Sequence, residues 1–250
     1  MIRQLPLLLI AFGTTVAAQW LNYPTPGIPR TPDGKPNLLA PTPRAADGKP
    51  DLYGIWTSGT VQGTLGETRI NRGVRPEEPV LTSEGEALQA RRKDNFPEVQ
   101  CLPLNLPGLA TAQPFKIFAI KGTVVFLYEY NTIYRQIFID GRDLPNDPNP
   151  TWLGYSVGKW DGDTLVVDTT GFNDRSMAGG RLHSDALHII ERIRRPDFGH
   201  LEIQYTISDP KVYAKPWTVV QNHHLVPDTE LLEYICNENE KDLKHMVGGR

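Results

Sequence analysis

Cysteine and methionine are scarce in this 250-residue chain, with two and three copies. No apolar run reaches the roughly 20 residues needed to cross a bilayer as a helix. A multi-span membrane protein is therefore excluded, and nothing suggests a coiled coil. Neither charge sign dominates: 26 Lys and Arg stand against 29 Asp and Glu, a formal net charge of -3. That balance argues against a nucleic-acid binder and against a polybasic membrane binder. No G-x-G-x-x-G loop is present, so no nucleotide cofactor is expected, and no H-E-x-x-H metal signature occurs. What the chain has in quantity is turn formers, 22 Gly and 22 Pro. They favour a β-rich fold over a helical bundle.

The N-terminus reads as a signal peptide. Arg3 precedes an apolar stretch from Leu5 to Ala18, and Val16-Ala17-Ala18 supplies small residues before Gln19. A charged start, a short apolar run and a small-residue site mark residues 1–18 for removal on export. No cysteine follows to carry a lipid, so a periplasmic or secreted protein free of the membrane is expected. In an oxidising compartment Cys101 and Cys236 are expected to be cross-linked, the alternative being a buried thiol at Cys236.

Residues 19–51 form a Pro-rich arm with an internal echo. Pro29-Arg30-Thr31-Pro32-Asp33-Gly34-Lys35-Pro36 returns as Pro43-Arg44-Ala45-Ala46-Asp47-Gly48-Lys49-Pro50. Each copy carries an Asp-Gly turn. Such a segment is extended or turn-like, either wrapping the body or disordered. Residues 52–250 are expected to form one domain. One helix is predicted there, opened by a capping box of Ser83 and Glu86 and stopped by Asn95 and Pro97.

Beyond Gln113, β-branched and aromatic enrichment or alternation predicts strands at 116–120, 123–131, 133–140, 155–160, 164–169, 187–194, 201–207, 217–224 and 230–237. Asp161-Gly162-Asp163 is a hairpin signal between two of them. Eight or nine consecutive strands without crossover helices predict an all-β, antiparallel up-and-down barrel, lipocalin-like, with a sandwich as runner-up. A barrel of that size either fills with side chains or holds one small ligand.

Four charges fall in aliphatic registers. Glu129 follows Val125 and Leu127, and Arg135 lies among Ile133, Ile137 and Ile139. Glu191 sits between Ile189 and Ile193, and Glu233 between Leu231 and Ile235. Burying a lone charge is costly, so such groups are paired, share a proton or face a wet cavity. Convergence inside the barrel would let Arg135 neutralise one Glu and leave another with a raised pKa as an acid or base. The plainer alternative is surface pairing at strand ends with Arg192 or Arg194.

The histidines offer a second set. His183 and His188 flank the start of the Glu191 strand, and His223-His224 ends another. A metal site would need His183, His188 and one of the latter pair to converge from separate strands; no metal is expected. Gly154-Tyr155-Ser156-Val157-Gly158 matches G-x-S-x-G, but a hairpin follows where a nucleophile elbow needs a helix.

The stretch Gly158-Lys159-Trp160-Asp161-Gly162-Asp163-Thr164-Leu165-Val166-Val167 resembles an uncharacterised family of exported bacterial proteins with a G-x-W-x-G-D-T-L-V-V core. Tyr128-Glu129, Asp140-Gly141-Arg142, His183-Ser184, Glu191-Arg192, Lys215-Pro216-Trp217-Thr218 and the terminal Glu233-Tyr234-Ile235-Cys236 match as well. The likeness spans about residues 101–242, although similar sequences often have His in place of Tyr155. It implies a compact exported domain and brings no mechanism with it.

The expected function is general acid–base chemistry on a small, partly apolar molecule, as a hydrolase, lyase or isomerase. Glu129, Glu191 and Glu233 are the candidate acids and bases, with Arg135 as charge stabiliser and His183 or His188 assisting. Tyr128, Tyr130, Tyr134 and Trp160 would shape the pocket. Two alternatives stand beside it: a binding protein with the same cavity and no chemistry, and a His-ligated metal enzyme.

Overall fold

The computed structural model describes residues 24–58, 79–92, 101–175, 181–236 and 238. The signal peptide expected at 1–18, and the helix stop at Asn95 and Pro97, lie outside the described residues. Alternation of apolar and polar side chains builds nine strands that close into a barrel in chain order. They are β1 (Gly54–Thr57), β2 (Phe115–Ile120), β3 (Thr123–Tyr128), β4 (Tyr134–Phe138), β5 (Tyr155–Asp161), β6 (Thr164–Thr170), β7 (His188–Arg194), β8 (His200–Ser208) and β9 (Trp217–Leu225). Among the described residues two helices, α1 (Ser83–Arg92) and α2 (Leu109–Ala112), lie between β1 and β2.

A ring of nine strands cannot alternate in direction all the way round, so one neighbouring pair must run the same way. That pair is β4 and β5, with Ile137 opposite Ser156. The other pairs, β1 against β9 included, are antiparallel as expected. A parallel pair needs a long crossover, which residues 139–154 supply. The tight turns obey local chemistry. Lys121 and Gly122 both take positive φ, 36 and 76°, the signature of a mirror-image hairpin turn. Gly162 supplies φ 57° in the expected hairpin between β5 and β6.

Turns after β2, β5 and β7 gather at one end of the barrel, and the long connections before β2, after β6 and after β8 at the other. The arm covers the first end. Its two echoes fold alike: Thr31 N–H donates to the Lys35 carbonyl at 2.8 Å and Ala45 N–H to that of Lys49 at 2.9 Å. Arg30 then reaches Asp228 and Arg44 reaches Asp163, both at 2.6 Å. Phe198 and Gly199 N–H donate to the carbonyls of Ala40 and Leu38, so the described part of the arm wraps the body. Buried Arg195 donates to the carbonyls of Asp51, Tyr53, Asp197 and Phe198. Burial lowers its pKa to about 10.

The second end is plugged by the segment around α2. Leu106 and Leu109 are fully buried, and Gln221 Nε2 on β9 donates to the Pro107 carbonyl at 3.0 Å. Helix α1 begins one residue away from the expected box. Thr82 Oγ1, not Ser83, accepts from Gly85 N–H at 3.0 Å, so the cap is Thr82 and no Glu stands at the third position. Gly85 is needed there because a Cβ would meet the Val212 carbonyl oxygen at 2.3 Å.

Two strand expectations fail. Short β1 was not foreseen, and of the strand expected at 230–237 the described residues, 230–236, form none. Because β1 pairs with β9 and closes the ring, no edge is left for the tail. It runs back outside the barrel with one bridge, Tyr130 to Tyr234. The tail is pinned by the Cys101–Cys236 disulfide, whose Cα atoms are 5.4 Å apart, and by Asn131, which accepts from Cys236 N–H at 3.0 Å. Among the described residues no helix is long and apolar enough to cross a membrane.

Candidate functional site

Of the four charges in aliphatic registers, the fold brings two together. Arg135 from β4 and Glu191 from β7 meet inside the barrel, 3 and 1% exposed. Nη1 donates to Glu191 Oε1 at 3.0 Å, and Nη2 contacts Oε2. Nε donates to Ser156 Oγ at 3.1 Å, and Nη2 to Thr169 Oγ1 at 2.9 Å. Ser156 and Thr169 hydroxyls also meet each other at 3.1 Å. Burial opposes the guanidinium charge, but the Glu191 carboxylate more than offsets it and holds Arg135 above its ordinary pKa. Tyr128 and Tyr205 stand beside the pair. Burial and then the Arg135 and Glu191 charges act on Tyr128, with its pKa raised in sum; burial and the Glu191 charge raise Tyr205. The serine of the G-x-S-x-G match is thus a buried partner of Arg135.

This clamp has little chemistry to offer. Both oxygens of Glu191 face the guanidinium, and the surrounding inner-face residues, among them Phe126, Val167 and Tyr205, are almost fully buried. The other two carboxylates lie elsewhere. Strand β3 stops at Tyr128, and Glu129 sits half-buried, accepting from Leu232 N–H of the tail at 2.7 Å. Burial raises its pKa, and that hydrogen bond works against the rise. Glu233 is exposed on the tail. The expected aromatics do not converge either. Tyr128 faces inward, Tyr130 packs on Tyr234 at 5.8 Å, Tyr134 is 64% exposed, and Trp160 is partly buried against the core on β5.

The histidines separate by strand alternation. His223 points into the barrel and is fully buried, while His224 faces His200 outside at 5.1 Å. Burial pushes His223 down to about 3, so its ring is neutral. Neither ring nitrogen has a hydrogen-bond partner among the described residues. His183 is buried at the plugged end. Its Nδ1 lies 2.9 Å from the Ser184 carbonyl oxygen, which can only accept, so Nδ1 carries the proton and Nε2 accepts from Asn105 at 3.4 Å. Among the described residues no three His, Cys, Asp or Glu side chains are grouped to hold a metal ion.

His188 is differently placed. On the outer face its Nε2 donates to Asp168 Oδ1 on β6 at 2.6 Å. The two side chains are 36 and 44% exposed, and Nδ1 has no hydrogen-bond partner among the described residues. His188 lines a cleft of about 490 Å³ with Pro145, Pro148 and Phe172. That cleft adjoins a second of about 430 Å³ holding His183, Ser184 and Lys211, with Pro150, Phe172 and Asp185 common to both. Lys211 and Asp185 pair at 2.6 Å. Sequence reasoning passed over Asp168. Its signal was the outward register beside Val167, which becomes informative once β6 and β7 pair with Asp168 opposite Ile190.

A third concavity, of about 180 Å³, opens at the arm end between the arm, β1, β2 and the tail. Comparison with known proteins adds no relative: no family model matches the chain, and neither a curated protein nor a solved structure matches it.

Proposed function

We propose that this chain is an exported enzyme that acts on a small molecule by general acid–base chemistry, with its site in the two-lobed groove at the plugged end. The carrying observation is the 2.6 Å contact from His188 Nε2 to Asp168 Oδ1 on the lip of that groove. A carboxylate on one imidazole nitrogen fixes the tautomer and leaves the other nitrogen's lone pair to act as a base. In this reading His188 Nδ1 takes the proton, Asp168 steadies the imidazolium, and the Leu144, Pro145 and Pro148 walls hold the apolar part of the substrate. The role moves away from Glu191, which the guanidinium occupies, and from Glu129 and Glu233, which lie outside the groove. Export is supported by the signal-like N-terminus, the disulfide and the resemblance to exported proteins.

The test is turnover of a panel of small esters, lactones, hydroxy acids and epimerisable sugars by wild type, His188→Gln and Asp168→Asn. Loss of one proton-transfer group costs about 10²- to 10⁴-fold, so His188→Gln is expected to abolish turnover and Asp168→Asn to reduce it. Turnover indifferent to both variants overturns the assignment. Ligand binding in the groove without turnover of any class assigns it to a binding protein.

A further inference from the structure

The concavity at the arm end lies across the barrel from the histidine groove, and no step proposed above uses it. We propose that it is a second binding site, for a small organic anion with a flat apolar body, such as an aryl carboxylate, and that Lys116 holds its charged end. The walls are largely hydrocarbon from Ile28, Ile55 and Leu225, which offer nothing to a bare inorganic ion and suit a ring. Tyr53, 46% exposed, stands among the lining residues. Lys116 Nζ lies 5.8 Å from its ring centroid, so an anion on Lys116 brings its ring against Tyr53.

Two cations border this space, and only one can take a ligand. The NH groups of Arg195 are committed to backbone carbonyls that hold the arm and the loop after β7. Lys116 is paired with Glu230 at 2.7 Å. Glu230 belongs to the tail beyond β9 and its side chain is 42% exposed. Releasing it to water costs little, because partly exposed ion pairs contribute little. A ligand carboxylate therefore takes the position Glu230 occupies. A cationic ligand is less well served. To reach Glu230 it would have to displace Lys116, which is 20% exposed and fixed on β2 between its strand neighbours, and the other carboxylate on the lining, Asp51, already accepts from Tyr53 N–H and faces the Arg195 charge.

The arrangement makes Glu230 an internal competitor, which gives the test opposite signs at two positions. Benzoate, benzamide and benzylammonium are titrated into the full chain and followed by amide shifts at Gly27, Gly54 and Val226. Benzoate is expected to bind there, and benzamide at least about tenfold more weakly for want of the charge-assisted contact. Lys116→Met, which keeps the aliphatic stem, lowers benzoate affinity by a similar factor. Glu230→Gln raises it several-fold. The proposal is overturned if benzoate does not bind, if benzylammonium binds as well, or if Lys116→Met leaves affinity unchanged. It is overturned equally if Glu230→Gln weakens binding, and that surface variant carries the test should Lys116→Met fail to fold.

Discussion

The Arg135–Glu191 pair inside the barrel and the His188–Asp168 pair on its rim join similar groups at similar distances. The inner pair is 2 and 1% exposed at the side chain, the outer 36 and 44%. Inside, four strands aim hydroxyls and charges at one another until both Glu191 oxygens face the guanidinium. Outside, a carboxylate orients one imidazole nitrogen of a residue that lines a groove, and the other nitrogen has no hydrogen-bond partner among the described residues. Burial makes the first pair a fastener; under the proposed function, incomplete satisfaction makes the second a reagent. A polar residue's register reveals that it is costly, and its partners decide whether it is used.

The sharpest way to break this contrast is to halve the inner pair. Glu191→Gln leaves a buried guanidinium without its counter-charge, which costs about 3–5 kcal/mol. The urea midpoint should fall accordingly. Arg135→Met combined with Glu191→Met should recover most of that loss, since isosteric apolar replacement of a buried pair is often neutral. Ser156 and Thr169 would still hydrogen-bond each other. A double variant as unstable as the single one would show that the network, and not the orphaned charge, carries the cost.

Acid reads the interior from another side. His223 is held neutral with its pKa near 3 by burial, against an ordinary 6.5. Between those values the unfolded chain binds a proton that the folded chain excludes, so stability falls as pH drops from 6.5 towards 3. Above 6.5 the group contributes nothing to the pH dependence. At pH 4 the loss amounts to about 3 kcal/mol. His223→Phe should remove that part of the slope, and at pH 7 it should cost little, because it also deletes two nitrogens without partners. Equal acid slopes in the two proteins would mean that His223 is not excluded from protonation.

How much of this was legible beforehand depends on range. Eight strands could be read because alternation is a local property, and Arg135 and Glu191 stood out for the same reason. Strand β1 was missed because four residues after a Pro-rich arm carry too little pattern. Residues 230–237 read as a strand because Leu231, Leu232, Tyr234 and Ile235 supply the apolar, aromatic and β-branched enrichment of one, while the ring they would have joined is already closed by β1. Glu129 was misplaced by one turn: β3 ends at Tyr128, and Asn131 and Thr132, at φ 53 and 49°, reverse the chain. Asp168 and His188 are ordinary outward residues until the β6–β7 register sets them side by side. Pairing across strands is the information that a period of two does not contain.

The rim pair supplies the smallest expected change in stability and so the finest test of the contrast. Partly exposed ion pairs contribute about 0–1 kcal/mol, so Asp168→Asn should move the urea midpoint barely at all where Glu191→Gln moves it greatly. If the pair is a reagent, the same substitution lowers kcat by about tenfold or more through loss of imidazolium stabilisation, with KM little changed because Asp168 lies behind the imidazole. If it is only a fastener, stability and any activity respond together. A large stability loss in Asp168→Asn with intact turnover would reverse the roles assigned to the two pairs, making the rim the structural element. Measuring both variants in the same urea and turnover assays separates these outcomes, since each pair then serves as the control for the other.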